Sequence, residues 1–253
     1  MKRFIIIMSC LISFASNILA NDNPNVLKAQ ADSAYSHEQY DKAIKLYEQL
    51  AKKTSDYKIF YNLGCAYYRT DNISKSVLWL ERAAQMNPSD EDVRINLTLV
   101  RNKTIDKITP RHEMIFVSVF RKLVNLMSLK SWSVVCISLF ILSFVFVSLF
   151  LFSNVLSLRK IGLLMFLLCL TLCILGNICA YQQRSMAENH ISGIIMSPAV
   201  TVKSTPTESG NDLFVIHEAT CVEIRDSSMK DWYEIQIADG KIGWIQKKTL
   251  ELI

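Results

Sequence analysis

Two stretches of this chain carry no charged residue: Val134 to Phe152, nineteen residues, and Ile161 to Ala180, twenty. At ~1.5 Å per helical residue each reaches about 30 Å, the thickness of a bilayer's hydrocarbon core. A core helix of a soluble protein seldom runs this long without a polar face, so both stretches read as membrane-spanning helices. Trp132 ahead of the first and Tyr181 behind the second stand where an aromatic belt would meet the headgroups. The predicted spans are residues 132–153 and 161–181, joined by a link, 154–160, too short to hold a domain. Function must be sought in the polar pieces on either side of this hairpin.

The chain begins with Lys2 and Arg3, continues with the mostly apolar Phe4 to Leu19, and reaches Ala20 before the polar Asn21-Asp22-Asn23-Pro24. That order of basic, apolar and small residues predicts a secretory signal peptide over residues 1–20. Ile18 departs from the small residue preferred near a cleavage site, so an uncleaved signal anchor is the alternative. Cys10 has too short an apolar stretch ahead of it for a lipoprotein signal. A signal peptide sends the first polar piece outward, makes the link cytoplasmic and returns the last piece to the outside. Arg159 and Lys160 in the link agree with the positive-inside rule, whereas Arg121, Lys122 and Lys130 on the outer flank weaken it.

A net charge of +5 is scattered along the chain without a basic stripe, which argues against nucleic acid as a partner. Of seven cysteines only Cys65 and Cys221 fall in the polar pieces beyond the signal peptide, so no disulfide framework is predicted. Cys169, Cys173, Gly176 and Ala180 form a stripe of small residues suited to close helix packing; a thiol redox pair at Cys169 and Cys173 is the minor alternative. The four histidines lack metal-ligand spacing, and no H-E-x-x-H, G-x-S-x-G, P-loop or dinucleotide fingerprint occurs. With no charge inside the spans, an ion pathway is unsupported as well. We therefore expect no catalytic residues, no metal and no cofactor: not an enzyme.

Residues 57–90 carry Phe60-x2-Leu63-Gly64-x2-Tyr67, then Ser76-x3-Leu80, Ala83 and Pro88. This pattern resembles the tetratricopeptide (TPR) repeat, in which small residues mark the crossing of two helices and Pro ends the second. A fainter copy lies thirty-three residues earlier: Ala31 aligns with Gly64, Ala34 with Tyr67, Tyr40 to Ile44 with Ile73 to Val77, and Tyr47 with Leu80. A third helix, about 91–107 and opened by Pro88-Ser89-Asp90 with Ser89 as its predicted N-cap, would cap the stack. An all-α TPR solenoid is thus expected over residues 24–107. The resemblance implies a concave groove, lined by the first helix of each repeat, that binds extended peptides or partner helices. Its inward positions would be Lys28, Asp32 and Tyr35, then Tyr61, Asn62, Cys65, Tyr68 and Arg69, and Asn96 in the cap. Tyr rings would anchor apolar groups, and Asn and Arg would bond a peptide backbone or carboxylate. Residues 111–130, apolar but interrupted by Arg121 and Lys122, suit an amphipathic helix in the membrane interface, with packing against the cap as the alternative.

From about Ile194 the period changes to alternation: Val200 and Val202; Leu213 and Val215; Val222 and Ile224; Trp232, Ile235 and Ile237; Ile242, Trp244 and Ile245; Leu250 and Leu252. Asp239-Gly240 between two of these runs is a strong hairpin signal. Val200-x-Val202 with Ser204-x-Pro206, Ala219-Thr220 before Val222-x-Ile224, Trp232-x-x-Ile235, and Asp239-Gly240-x-x-Gly243-Trp244-Ile245 resemble a bacterial SH3-type (SH3b) domain, an all-β small barrel, over residues 194–253. Ala219 stands where that family usually has Gly. Trp232 and Trp244 would form either a ligand-binding aromatic face or part of the core.

Taken in order, these parts make a multi-domain chain that along essentially its whole length resembles the BatE-type proteins of the bacterial aerotolerance (Bat) operon. The resemblance implies a two-pass protein of the bacterial inner membrane with its TPR and SH3-like parts in the periplasm. It implies a scaffold or adaptor in an envelope stress or aerotolerance complex. The implied partners are von Willebrand A-domain membrane proteins, another TPR protein and a MoxR-type AAA+ ATPase system. Peptidoglycan binding or sensing through the SH3-like part is the alternative function.

Overall fold

The computed structural model describes residues 24–108, 115–189 and 191–253. The predicted signal peptide, residues 1–20, and the first residues of the predicted interfacial helix lie outside them.

Five helices form an antiparallel stack: α1 (Pro24–Ser36), α2 (Tyr40–Lys53), α3 (Tyr57–Arg69), α4 (Ile73–Met86) and α5 (Glu91–Arg101). Pro24 opens α1 at a position where its missing N–H costs nothing. The side chains of Asp56, Asn72 and Asp90 cap α3, α4 and α5 by accepting from the backbone N–H of Lys58, Lys75 and Val93. The cap of α5 is therefore Asp90 and not Ser89, whose hydroxyl turns back to Asn87 Oδ1 at 2.9 Å. A carboxylate also complements the positive end of the helix dipole, which a hydroxyl does not. α5 ends at Arg101, short of the expected 107.

The repeat is written in the backbone as well as in the side chains. Glu38 and Asp71, thirty-three residues apart, both adopt a left-handed φ of 59° in the turns α1–α2 and α3–α4. Beside them Gln39 N bonds Ala34 O at 2.9 Å and Asn72 N bonds Tyr67 O at 3.0 Å, again offset by thirty-three. At the α3–α4 crossing a Cβ on Gly64 would lie 2.7 Å from Leu80 Cγ, and the Ser76 hydroxyl donates to Gly64 O at 2.8 Å. Tyr47, Leu50, Leu63 and Leu80 are fully buried between the helices. The region is a helical repeat resembling TPR.

Next come α6 (Ile115–Val124), α7 (Leu129–Phe152) and α8 (Leu156–Asn189). α7 and α8 are long and apolar enough to cross a membrane. Only 11% of the most apolar stretch of α7 and 22% of that of α8 is buried within the molecule, unlike the core helix of a soluble protein. The inner positions recur every seven residues: Cys136, Ser143 and Phe150 on α7; Gly162, Cys169, Gly176 and Gln183 on α8. That period keeps one seam between two left-handed supercoiled helices. A Cβ on Gly162 would meet Phe150 N at 2.9 Å, so the backbones approach closely there. Arg159 and Lys160 fall inside α8, and the helix runs on past Tyr181 to end three residues before the sheet begins at Ser192. Trp132 Nε1 donates to Val124 O at 3.0 Å and Gln183 Nε2 to Met127 O at 3.1 Å, tying the α6–α7 corner to the hairpin.

The C-terminal piece is one antiparallel sheet: β1 (Ser192–Ile195), β2 (Ala199–Lys203), β3 (Asp212–His217), β4 (Cys221–Asp226), β5 (Trp232–Gln236), β6 (Ile242–Gln246) and β7 (Leu250–Leu252), in spatial order β3-β2-β6-β5-β4-β1-β7. The sheet does not close into the expected small barrel; β3 and β7 are its edges. β1, absent from the alternation pattern as a separate strand, pairs with both β4 and β7 and extends the sheet. The Asp239-Gly240 hairpin forms between β5 and β6, with Gly240 at φ 93° and its N–H on Ile237 O at 2.8 Å.

Leu213 and Val215 point outward, each 51% exposed, whereas Phe214 and Ile216 face the core. Leu213-Phe214-Val215-Ile216 is apolar throughout, so alternation cannot set its phase. Pairing does: Val202 stands opposite Phe214 and Val200 opposite Ile216.

The helical repeats and the sheet are docked on each other. Val77, Leu78 and Leu80 of α4 and Leu97 and Val100 of α5 share one buried cluster with Ile194 of β1 and Ala219. Ile194 and Ile195 point opposite ways from β1, one into this dock and one into the sheet core. Around the apolar centre Ser74 Oγ donates to Glu218 Oε2 at 2.6 Å, and Arg82 Nη2 donates to Leu252 O at 2.6 Å and Glu251 Oε1 at 3.2 Å. Asp106, just past α5, accepts from His217 N at 2.7 Å and Thr220 Oγ1 at 2.8 Å and also bonds His217 Nδ1 at 2.8 Å. Ala219 has the left-handed φ of 63° that Gly would take freely, and its Cβ is buried in the dock.

Candidate functional site

Between the first three helices lies an opening of about 240 Å³ lined by Asp32 and Tyr35 from α1, Tyr47 from α2, and Tyr61, Asn62 and Cys65 from α3. Spacings of three and four residues bring each helix's contributions onto one face. Asp32 organises the floor: Oδ1 accepts from the Tyr47 hydroxyl at 2.6 Å and from Asn62 Nδ2 at 3.4 Å, and Oδ2 takes the Lys28 ammonium at 2.7 Å. Burial raises the Asp32 carboxyl, but the Lys28, Tyr47 and Asn62 donors outweigh it and hold the group below the usual carboxylate range. Burial, then the neighbouring Asp32, pushes the Tyr47 phenol upward. Burial pushes the Cys65 thiol to about 11 despite a bond from Tyr61, so it stays protonated at neutral pH and is no nucleophile.

The expected groove residues divide into three sets. Asp32, Tyr35, Tyr61 and Asn62 come together at the opening with Cys65. Lys28 joins through Asp32 and Asn96 by donating to the Tyr61 hydroxyl at 3.0 Å, while Arg69 is exposed, near enough to the Tyr35 phenol for it to raise the guanidinium. Tyr68 does not line the opening: like Tyr61 and Cys65 it packs against the cluster formed by α4, α5 and the sheet, but its ring faces Lys103 Nζ, 4.4 Å from its centre. Tyr47 is the residue that sequence reasoning missed. Its alignment with Leu80 marked it as a packing position, and only its hydroxyl distinguishes it.

A second hollow, about 910 Å³, lies on the first repeat, where Val26, Ala29, Ala34 and Leu46 line it together with Asn25, Gln30, Ser33, His37, Gln39 and Lys42. On the sheet, Trp232 stands opposite Gln246, and Trp244 opposite Glu234 on one side and Lys203 on the other. Both rings lie half-buried on the face away from Tyr233, Ile235 and Ile245, outside the core. Among the described residues no three His, Cys, Asp or Glu side chains converge as metal ligands. The chemistry assembled at the opening is that of binding: aromatic walls, one carboxylate and several oriented hydrogen-bonding groups.

No family model matches the chain, and no curated protein matches it either. Among solved structures it is similar to the Sgt2 TPR domain from Aspergillus fumigatus, at 24% identity over 32% of this chain and 54% of that one, with a TM-score of 0.31. The chain thus spans about half the length of that relative. A score this low carries no argument, and the likeness to TPR rests on the helix pairs and their thirty-three-residue register.

Proposed function

We propose that this chain is a membrane-anchored interaction module whose helical repeats hold an extended segment of a partner protein. The observation that carries the reading is the opening between α1 and α3, where three tyrosines, Asn62 and Asp32 converge on unfilled space. Two apolar helices support the anchor. The dock between repeats and sheet supports an even number of crossings, since both pieces must lie on one side of the bilayer to touch. With the signal peptide, that side is the periplasm. The order of parts further suggests a BatE-type scaffold in an aerotolerance or envelope stress complex, with von Willebrand A-domain proteins, a TPR protein and a MoxR-type ATPase system as partners. We also propose kinship of the sheet to SH3-like domains.

The test places a photo-crosslinking residue at Tyr35 in the opening, or at the exposed Lys45 on α2, in native membranes. Tyr35 should capture a defined membrane or periplasmic protein that Lys45 does not, identified by mass spectrometry. Equal capture from both positions, or none, defeats the reading. Alkaline phosphatase fused after Asn189 should be active and fused at Leu158 inactive; the reverse would put both modules in the cytosol. The outward, half-buried Trp232 and Trp244 favour a second reading, peptidoglycan binding, which co-sedimentation of the membrane-extracted chain with wall material decides.

A further inference from the structure

Resting on the groove reading above, we infer that the opening at Asp32 selects a cation, and that the partner segment anchors there through a Lys or Arg side chain. The polar groups around the space are rich in acceptors. Asp32 presents a carboxylate, Tyr47 adds its hydroxyl oxygen, and Tyr35 and Tyr61 add oxygen atoms and electron-rich ring faces. Asp92 acts on Tyr61 and Cys65 as a further negative charge, offset at Cys65 by the larger effect of the Arg69 guanidinium, so the cation preference rests on Asp32. A ligand carboxylate would meet Asp32 head-on, and like charges at contact are strongly disfavoured.

The molecule itself supplies the model ligand. Lys28 Nζ sits 2.7 Å from Asp32 Oδ2, an ammonium on the carboxylate that an incoming basic side chain would use. That pair is one helical turn long, with its two side chains 38% and 41% exposed. Exposed pairs of this kind contribute little, so Lys28 can swing into solvent when a better-enclosed cation arrives. The opening, about 240 Å³, is large enough for one long side chain. Tyr47 and Asn62 keep Asp32 Oδ1 in place during the exchange. Arg69, exposed near the Tyr35 phenol, is placed to face the anionic or carbonyl parts of the same segment. The sequence-based expectation that Asn and Arg grip a carboxylate is thereby narrowed: Arg69 can do so, but the position at Asp32 takes positive charge.

The test selects a library of random nine-residue peptides against the full chain in lipid nanodiscs. Lys or Arg should be enriched at one peptide position. A labelled peptide from that set should bind Asp32→Asn about tenfold more weakly. It should bind Lys28→Met about two- to threefold more tightly, because the resident competitor is gone. If Asp32→Asn does not fold, Lys28→Met decides alone, and no gain in affinity overturns the inference. Enrichment of acidic or purely apolar anchors, or basic peptides indifferent to Asp32→Asn, overturns the cation assignment while leaving the groove standing. A library with no enrichment on the intact chain overturns the groove reading, and this inference with it.

Discussion

Along the hairpin, α7 and α8 meet through Cys136, Ser143, Gly162, Cys169 and Gly176, a seam uncharged along its length, and only at its link end does the Arg159 guanidinium lie over the Phe150 ring, 5.5 Å from its centre. Between the repeats and the sheet, Leu78, Ile194 and Ala219 form an apolar centre ringed by Ser74–Glu218, Arg82–Glu251 and Asp106–His217. Both contacts join parts of one chain, yet they are built by different rules. In lipid no hydrophobic gain draws helices together, so the contact depends on small residues that let backbones approach. In water a dock gains from burying apolar area, and a polar rim fixes its register. The uncharged middle of one join, with its one cation at the link end, and the ring of charge around the other follow from the solvent each would face.

The sharpest way to break this comparison is to put a charge at the centre of the aqueous join. Ile194 is fully buried, and Ile194→Asp would place a carboxylate there without a cation to meet it. We expect a loss of about 3 kcal/mol or more, the range for an unpaired buried charge. Hydrogen exchange should show α4 and β1 losing protection together while α7 and α8 keep theirs. If α4 stays protected, repeats and sheet are independent bodies and the comparison fails.

A smaller effect probes the hairpin seam. Gly162→Ala adds a Cβ within 2.9 Å of Phe150 N and 3.0 Å of Phe146 O, both backbone atoms that cannot rotate aside. The helices must separate, at a cost of about 1–3 kcal/mol typical of overpacking. Steric trapping of the hairpin in bicelles measures this directly. An unchanged value would mean that the seam is not set by close approach.

The two joins also differ in how far the sequence reveals them. The stripe Cys169, Cys173, Gly176 was legible because a helix in a uniform solvent must display its packing face by period alone, although Gly162 and Gln183 complete it only once the spacing of seven is seen. The resemblance to TPR likewise put Asp32, Tyr35, Tyr61 and Asn62 at inward positions, and the structure brings them to one opening. It hid Tyr47, whose position is dictated by packing and whose hydroxyl alone enters the opening. The dock was not legible at all. Leu78 looks like a slightly greasy outer position of α4, and Asp106 finds His217 across 111 residues through a loop of no recognisable pattern. The Trp pair was ambiguous because phase in a short strand is fixed by its neighbours, here Gln246 and Lys203, and not by its own alternation.

The smallest effect lies at the rim of the dock and depends on pH. Burial raises the Asp106 carboxyl, but the bonds from His217 N, His217 Nδ1 and Thr220 Oγ1 outweigh it and hold the group below its ordinary value. Undocked, the carboxyl returns to about 3.9. A group depressed on docking stabilises the docked form fully above its free value and loses that contribution as pH falls through the docked one. The dock should therefore be at full strength at neutral pH and loosen only on acidification below about pH 4. Asp106→Asn keeps the shape but lacks the charge, and should weaken the dock at pH 7 by about 1–2 kcal/mol. The difference between the two proteins should shrink as pH falls, because a protonated carboxyl and the amide that replaces it are both neutral and nearly the same shape. Urea melts of both at pH 7, 5 and 3 read this convergence. A gap that stays constant across that range would show that the carboxylate's charge plays no part, leaving the apolar centre around Ile194, with Ser74–Glu218 and Arg82–Glu251, to hold repeats and sheet together.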